Sequence, residues 1–405
     1  ATEEQWQQAT HELNLSQPLI ELTTARYDRG YLGAELQGQL MVESPSTGES
    51  VAIPYMAEAS HGILGSQLRF SIEPAFAKAS AELFPEEKPS LVVDTRLWGT
   101  VLVELNVPAV NVDDPETGES LTMAESYGWG EISDGGRQVD LELRWPGLAV
   151  RAPGMRIGMD DLQFSQSMTR IQGNVWTGEG AIEMARLELV DDARPEVVLE
   201  HLSLTSEATA QDEDRRITSR SVLALENLAV DQQDIGPHRV AFELVGAEVA
   251  SWNRFTEVLG RLHSFAPEAA SLAPQELMER QMQLMAEVTE AIRQLAGHGV
   301  SFGVPELSLQ TPAGAVTGAL EIRHPRLSDD ERQQMLMVMQ QLSGDLEFSL
   351  PAELMERYPR LRAQLQPMLD QGLLVPDGDR YRLEAHFEEL EAEINGEMMP
   401  LPPMI

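Results

Sequence analysis

Apolar and polar residues alternate through most of the first 250 residues. Val139, Leu141, Leu143 and Trp145 alternate with Asp140, Glu142 and Arg144, which gives a strand one apolar face and one charged face. Leu36, Gly38, Leu40 and Val42 do the same against Glu35, Gln37 and Gln39, and so do Gly99, Val101, Val103, Leu105 and Val107. Ala185, Leu187 and Leu189 continue the pattern. Two near-copy turns, Pro45-Ser46-Thr47-Gly48-Glu49-Ser50 and Pro115-Glu116-Thr117-Gly118-Glu119-Ser120, predict local antiparallel hairpins. Pro suits the first corner, and Gly accepts the positive φ that closes a bulged turn.

The period changes near residue 251. Phe255, Val258, Leu259 and Leu262 have helical spacing, and Leu277, Leu284, Val288, Ile292 and Leu295 form a second stripe. Pro267 and Pro274 separate the two segments. A short helix over residues 3–14 carries Trp6, Ala9 and Leu13. Strands return near Leu307–Leu309 and Val316–Ile322, followed by a helix over 327–342 opened by Ser328 as N-cap. Helical turns follow at 351–370. At the end, Leu383, Ala385 and Phe387 share one phase and Leu390, Ala392 and Ile394 the other, which a bulge at Glu388-Glu389 would reconcile. Asn395-Gly396 is a type I′ turn signal, with a return strand from Met398 to Leu401. The expected fold is α+β and β-dominated: an elongated, curved antiparallel meander with a helical insertion and C-terminal helices plus a hairpin. Residues 1–250 form the meander region and 251–405 a mixed region packing on it, or the two make one continuous elongated domain.

Composition narrows the function classes. The chain has 405 residues, of which 42% are hydrophobic, enough for a packed core. Its net charge is -37, which repels nucleic acid phosphates and anionic headgroups. Lys78 and Lys88 are the lysines; every other basic residue is arginine. Adaptation to high salt and plain solubility both account for such a surface. There is no cysteine, so disulfides, thiolate metal sites and Cys nucleophiles are excluded. No run approaches the ~18 apolar residues of a membrane span. No signal-peptide pattern opens the chain, and Ala1-Thr2-Glu3-Glu4, without an initiator methionine, reads as a mature or truncated start from which an anchor or a signal has been removed.

Chemistry is sparse. Eight histidines, at 11, 61, 201, 238, 263, 298, 324 and 386, include no His-Glu-x-x-His and no helical pair for zinc. No nucleophile elbow, phosphate loop or dinucleotide fingerprint occurs. Paired acids such as Asp113-Asp114, Asp160-Asp161 and Asp191-Asp192 read as solvated turns and faces. No catalytic residue, metal site or cofactor is expected.

At Tyr27-Asp28-Arg29-Gly30-Tyr31 the chain resembles the YdgA family of bacterial proteins. A His-Gly step follows at His61-Gly62-Ile63-Leu64-Gly65, with Ile63 where the family often has Pro. Trp176-Thr177-Gly178, Leu350-Pro351, Ile394-Asn395-Gly396 and Leu401-Pro402 complete the likeness. It implies a periplasmic protein tethered to the inner membrane by an anchor outside this chain. In outline it is also similar to AsmA-like envelope proteins, which are linked to lipid handling. Read from the residues alone, Tyr27-x-Arg29-Gly30 is a tight turn in which Gly30 supplies backbone freedom and Tyr27 and Tyr31 pack on the sheet. His61 reads as a turn histidine bonded to nearby backbone.

Methionine is the feature that points to binding. Met278, Met282 and Met285 lie along one helix face, and Met335, Met337 and Met339 crowd a second helix. Methionine-rich surfaces accept varied apolar partners. The leading expectation is a non-enzymatic envelope protein holding a lipid or other apolar ligand in a groove between the sheet and these helices. A structural homodimer is the alternative, and an uncharacterised hydrolase the third.

Overall fold

The computed structural model describes residues 6–7, 10–11, 14, 20–43, 50–62, 65–72, 83–84, 87–96, 99–231, 233–269 and 273–400. It is β-dominated, with 62% strand and 22% helix. Contacts divide the chain into two units: Ala1–Ser167 with Glu183–Pro195, and Met168–Ile182 with Glu196–Ile405.

Unit 1 is an antiparallel meander. Its strands are β1 (Ile20–Arg29), β2 (Gly33–Glu43), β3 (Ser50–His61), β4 (Gly65–Ile72), β5 (Ser90–Arg96), β6 (Val101–Val107), β7 (Val110–Asp114), β8 (Glu119–Met123), β9 (Ser126–Ser133) and β10 (Gln138–Ala152). Neighbours in sequence pair from β1 to β6. β6 then pairs β9, and β9 pairs β10. The β7–β8 hairpin lies on the second half of β10. Its Pro115–Gly118 turn closes as expected, with Gly118 at φ 75°. The first copy of that turn, 44–49, lies outside the described residues, but the strands around it pair in register from Glu43 and Ser50.

The alternation explains the packing. Ala34, Leu36, Tyr55 and Ala57 are buried together, with Leu22, Tyr27, Leu68 and Phe70 around them. Trp6, a helical residue as expected, covers this face and donates its indole N–H to Thr24 Oγ1 at 2.8 Å. Asn14 bonds both the N–H and the carbonyl of Leu22, at 2.8 and 3.0 Å. Its side-chain amide thus satisfies the backbone groups of Leu22 on the side of β1 that no strand pairs among the described residues, where unpaired backbone groups invite aggregation.

β11 (Met155–Gln172), β12 (Val175–Asp191) and β13 (Arg194–Gln211) each contribute residues to both units. Unit 2 continues with β14 (Arg216–Val230), β15 (Gln233–Ile235) and β16 (His238–Glu248). Here the chain leaves the sheet for helices α1 (Val249–Ala269) and α2 (Pro274–Gly297), then returns as β17 (Val300–Thr311) directly beside β16. The expected helical insertion is therefore a helix pair placed inside a hairpin. Pro274 opens α2 at its first turn, whereas α1 continues past Pro267 to Ala269. The change of character near residue 250 lies inside unit 2.

β18 (Gly314–His324), α3 (Asp329–Arg332), α4 (Met335–Gln340), β19 (Ser343–Pro351), α5 (Ala352–Arg357), α6 (Pro359–Asp370), β20 (Val375–Asp377), β21 (Arg380–Glu388), β22 (Glu391–Ile394) and β23 (Glu397–Pro400) complete the unit. Its ladder runs β13–β14–β16–β17–β18–β19–β21–β22–β23, all antiparallel. Leu350, Met355, Leu374 and Leu383 form one core, and Val175, Ile217, Leu244, Ala247 and Val249 another.

Two expectations need correction. The helix expected over 327–342 begins with the predicted cap, a full Ser328–Glu331 capping box, but breaks after Arg332. Gln334 is extended, and the Arg332 carbonyl accepts from the Arg293 guanidinium of α2. The bulge expected at Glu388-Glu389 is a two-residue turn instead. Glu389 and Leu390 have φ of 51° and 66°, so β21 and β22 are separate strands. With the Asn395-Gly396 turn, φ 50° and 87°, the C-terminus is a three-stranded meander. Among the described residues, no helix is long and apolar enough to cross a membrane.

Candidate functional site

The antiparallel ladder of unit 1 brings two distant motifs together. The β1–β2 turn closes with Gly30 N–H donating to the Gly33 carbonyl, and the β3–β4 turn with Gly62 donating to Gly65, each at 2.8 Å. His61 N–H donates across to the Leu32 carbonyl, also at 2.8 Å. Tyr27, Arg29 and Gly30 thus share one end of the sheet with His61 and Gly62. The His61 ring contacts Ser66 Oγ through Nδ1 at 3.0 Å. Burial, and then charge that includes Arg29, holds its pKa below the ordinary value.

His61 ends β3 and its ring meets the Ser66 hydroxyl rather than the backbone expected, and the packing expected of Tyr31 is corrected as well. Tyr27 packs against the unit 1 core, but Tyr31 is 100% exposed and Leu32 66%. They occupy the two central positions of a turn, beyond the last strand pair, where no neighbouring strand can reach them. Gly30 does not have a positive φ; a Cβ there would sit 3.3 Å from the Gly33 carbonyl, so closeness rather than handedness favours glycine.

The other motif residues have structural partners. Trp176 on β12 lies under the Arg170 guanidinium at 5.6 Å, and Gly178 takes φ 134°. Asn395 does more than turn the chain. Its Oδ1 accepts from Glu384 N–H at 2.9 Å, and its Nδ2 donates to the carbonyls of Gly372 and Leu373 at 3.1 and 3.0 Å. The Asn395-Gly396 turn therefore holds the segment after α6 against β21.

The methionines divide into two sets. Met278, Met282 and Met285 of α2 are 62%, 58% and 58% exposed, and Ile292 below them is 44% exposed. With Thr289 they form a stripe spaced four, three, four and three residues, the seam of a coiled-coil helix. Met335 and Met339 are partly buried on α4, whose exposed residues are Leu336 and Met337. The groove wall expected from all five is not what α2 presents: its three methionines face outward. The other faces of α2 explain why, since α1 occupies one and α3 with α4 another.

A serine–histidine contact occurs where no motif announced it. Ser251 Oγ lies 2.9 Å from His298 Nδ1, and Glu248 accepts the Ser251 N–H at 2.7 Å. That ring nitrogen also lies 2.8 Å from the Gln294 carbonyl. A carbonyl can only accept, so Nδ1 carries the hydrogen and cannot take a proton from the serine. Ser251 is moreover 4% exposed. The cluster fastens the first turn of α1 to the end of α2.

A second polar cluster is exposed on β18, β19 and β21. His386 Nδ1 meets Asp345 Oδ1 at 2.7 Å, and Arg323 pairs with the other Asp345 oxygen. An open depression of about 470 Å³ beside it is lined by Arg382, Glu384, Glu393 and Asn395 among others. The bond to Asp345 raises the His386 pKa above its ordinary 6.5, and the same bond, with Arg323, lowers Asp345 below 3.8. The signs follow. The histidine's contribution to stability is complete below 6.5 and is lost as pH rises through its raised value. The aspartate's is complete above 3.8 and is lost as pH falls through its lowered value. NMR titration should find His386 above 6.5, and Asp345→Asn should lower it, with Glu388 still raising it from the other ring nitrogen; an unchanged titration in that variant would refute the pairing. Among the described residues, no group of three or more His, Asp or Glu is placed to hold a metal ion.

A family model described as bacterial protein of unknown function (DUF945) matches residues 1–402. No curated protein and no solved structure matches the chain.

Proposed function

Because the chain belongs to the DUF945 family of bacterial proteins, we propose that it is a non-enzymatic binding protein of the cell envelope. In this reading it faces the periplasm, held at the inner membrane by a segment outside this chain, as its likeness to the YdgA family implies. It carries a lipid or another long apolar molecule against the methionine face of α2. One observation supports this above the rest: Met278, Met282, Met285 and Ile292 form one exposed stripe. Completing the burial of these four side chains is worth roughly 3–6 kcal/mol before ordering costs. Unbranched, polarizable methionine adapts to an acyl chain better than a branched residue does.

The alternating four–three spacing favours a second reading, in which the stripe seats the same helix of a second copy. Native mass spectrometry of the full chain, with lipid extraction, separates the two. Stoichiometric acyl lipid that disappears on joint Met278→Gln, Met282→Gln and Met285→Gln substitution is the result expected. A lipid-free dimer that the same variant converts to monomer would favour self-association. A lipid-free monomer would refute both.

A further inference from the structure

The end of unit 1 that carries the Tyr27–Tyr31 and His61-Gly62 motifs has a chemistry the α2 reading does not use. Register places four connections at this one end: Gly30–Gly33, Gly62–Gly65, Arg96–Thr100 and Ser133–Gln138. The first is firmly held. It is closed by its own Gly30–Gly33 bond and tied to the second by the His61–Leu32 bond. On that tip Tyr31 is fully exposed and Leu32 two-thirds exposed.

The protein carries -37 overall, yet Arg29 closes β1 and Arg96 closes β5, both exposed. Neither joins an ion pair among the described residues. Asp28 pairs with Arg26 at 2.6 Å, and Asp134 faces Arg137 at 3.8 Å, while Glu35, opposite Asp28, and Glu58 beside it are exposed. Asp94 accepts from Gln67 at 3.0 Å. Four strand spacings separate β1 from β5, so the two guanidinium groups stand roughly 19 Å apart along the rim. An exposed tyrosine and leucine at a hydrogen-bonded tip, flanked by exposed arginines, match the interfacial layer of a bilayer. Tyrosine's amphipathic ring and leucine suit the headgroup–acyl boundary, and guanidinium binds phosphate bidentately.

We propose that this hairpin end docks on a phospholipid headgroup layer, with Tyr31 and Leu32 entering the interface and Arg29 and Arg96 pairing with lipid phosphates. The acidic remainder of the surface opposes approach to anionic lipid at low salt. At about 0.15 M salt screening reaches about 8 Å, so groups at the contact outweigh the distant acids. Binding therefore strengthens from very low to moderate salt, the reverse of what an overall basic protein shows.

The test is flotation of the full chain with vesicles of phosphatidylethanolamine containing a minority of phosphatidylglycerol, at moderate salt. The chain is expected to float with the vesicles. Joint Tyr31→Ser and Leu32→Ser substitution should weaken binding about tenfold, and joint Arg29→Gln and Arg96→Gln roughly tenfold. Such exposed positions leave thermal stability unchanged. Substituting the α2 methionines should leave flotation intact, so failure of the α2 reading and failure of this one are told apart. Wild-type protein that stays at the bottom, or tip variants that float like wild type, would overturn the proposal. So would light scattering in which the tip variants abolish a dimer that alone accounts for flotation.

Discussion

Gly38→Ala should destabilise unit 1 by about 2–4 kcal/mol, and Gly38→Val by more. Gly38 is buried in β2, opposite Thr24 of β1 on one side and Tyr55 of β3 on the other. A Cβ there would lie 1.9 Å from the Thr23 carbonyl oxygen and 2.7 Å from the Tyr55 hydroxyl. The first contact is with backbone, so β1 itself must move. The second displaces a hydroxyl that donates to the Thr23 carbonyl and also contacts Thr24 Oγ1, each at 3.2 Å. Two strands are thus pushed apart across the face that Trp6 covers. Urea unfolding followed by circular dichroism measures the effect. Adding Tyr55→Phe should recover only a small part, because the carbonyl contact remains. A Gly38→Ala midpoint equal to that of the parent would show that β1 yields freely and that the site is not tightly packed.

Gly38 also shows what a sequence discloses and what it hides. As one member of the Leu36–Val42 alternation it is visibly on the inner face of a strand. That it must be glycine depends on Thr23 and Tyr55, which local pattern does not connect to it. The same division runs through the molecule. Strand β10, the Gly118 turn, the Ser328 cap and the Asn395-Gly396 turn rest on contacts within a few residues, and each was legible. The Glu389-Leu390 turn was not, because two residues without the usual glycine or asparagine adopt positive φ there. Tyr31 was misread because its apolar ring suggests packing, while its place at the centre of a two-residue turn forbids it.

The candidate sites divide likewise. Spacing alone marks Met278, Met282 and Met285 as one face, but whether that face looks inward or outward depends on α1, α3 and α4. The meeting of Arg29 with His61 needs the register of three strands. Ser251 with His298 and Asp345 with His386 join positions 47 and 41 residues apart. No local motif encodes such pairs.

Arg216 is the most consequential of these long-range groups, and Arg216→Met is expected to cost unit 2 about 3–5 kcal/mol. Arg216 opens β14 with its side chain 19% exposed. One guanidinium nitrogen donates to the carbonyls of Gly246 and Gly299, the latter at 3.0 Å, and another to the carbonyl of His298. Gly246 and Gly299 have φ of 69° and 82°, so the chain bends at both places and turns these carbonyls toward one point. His298 caps α2, where a cation also meets the negative end of the helix dipole. Methionine keeps much of the volume but leaves three carbonyls without their donor. Lysine, a point charge without the planar fork, should recover less than half of the loss. Asp212, at 3.8 Å and largely exposed, adds little, so Asp212→Asn should fall within about 0.5 kcal/mol of wild type. Urea midpoints of the three variants, with hydrogen exchange at residues 298–300, measure this. If Asp212→Asn proved as damaging as Arg216→Met, the ion pair rather than the carbonyl fork would hold α2. The consequence reaches the proposed function, because the same fork fixes the end of the helix whose methionines face solvent. Loosening it should weaken apolar binding along α2 without touching a single residue of the stripe.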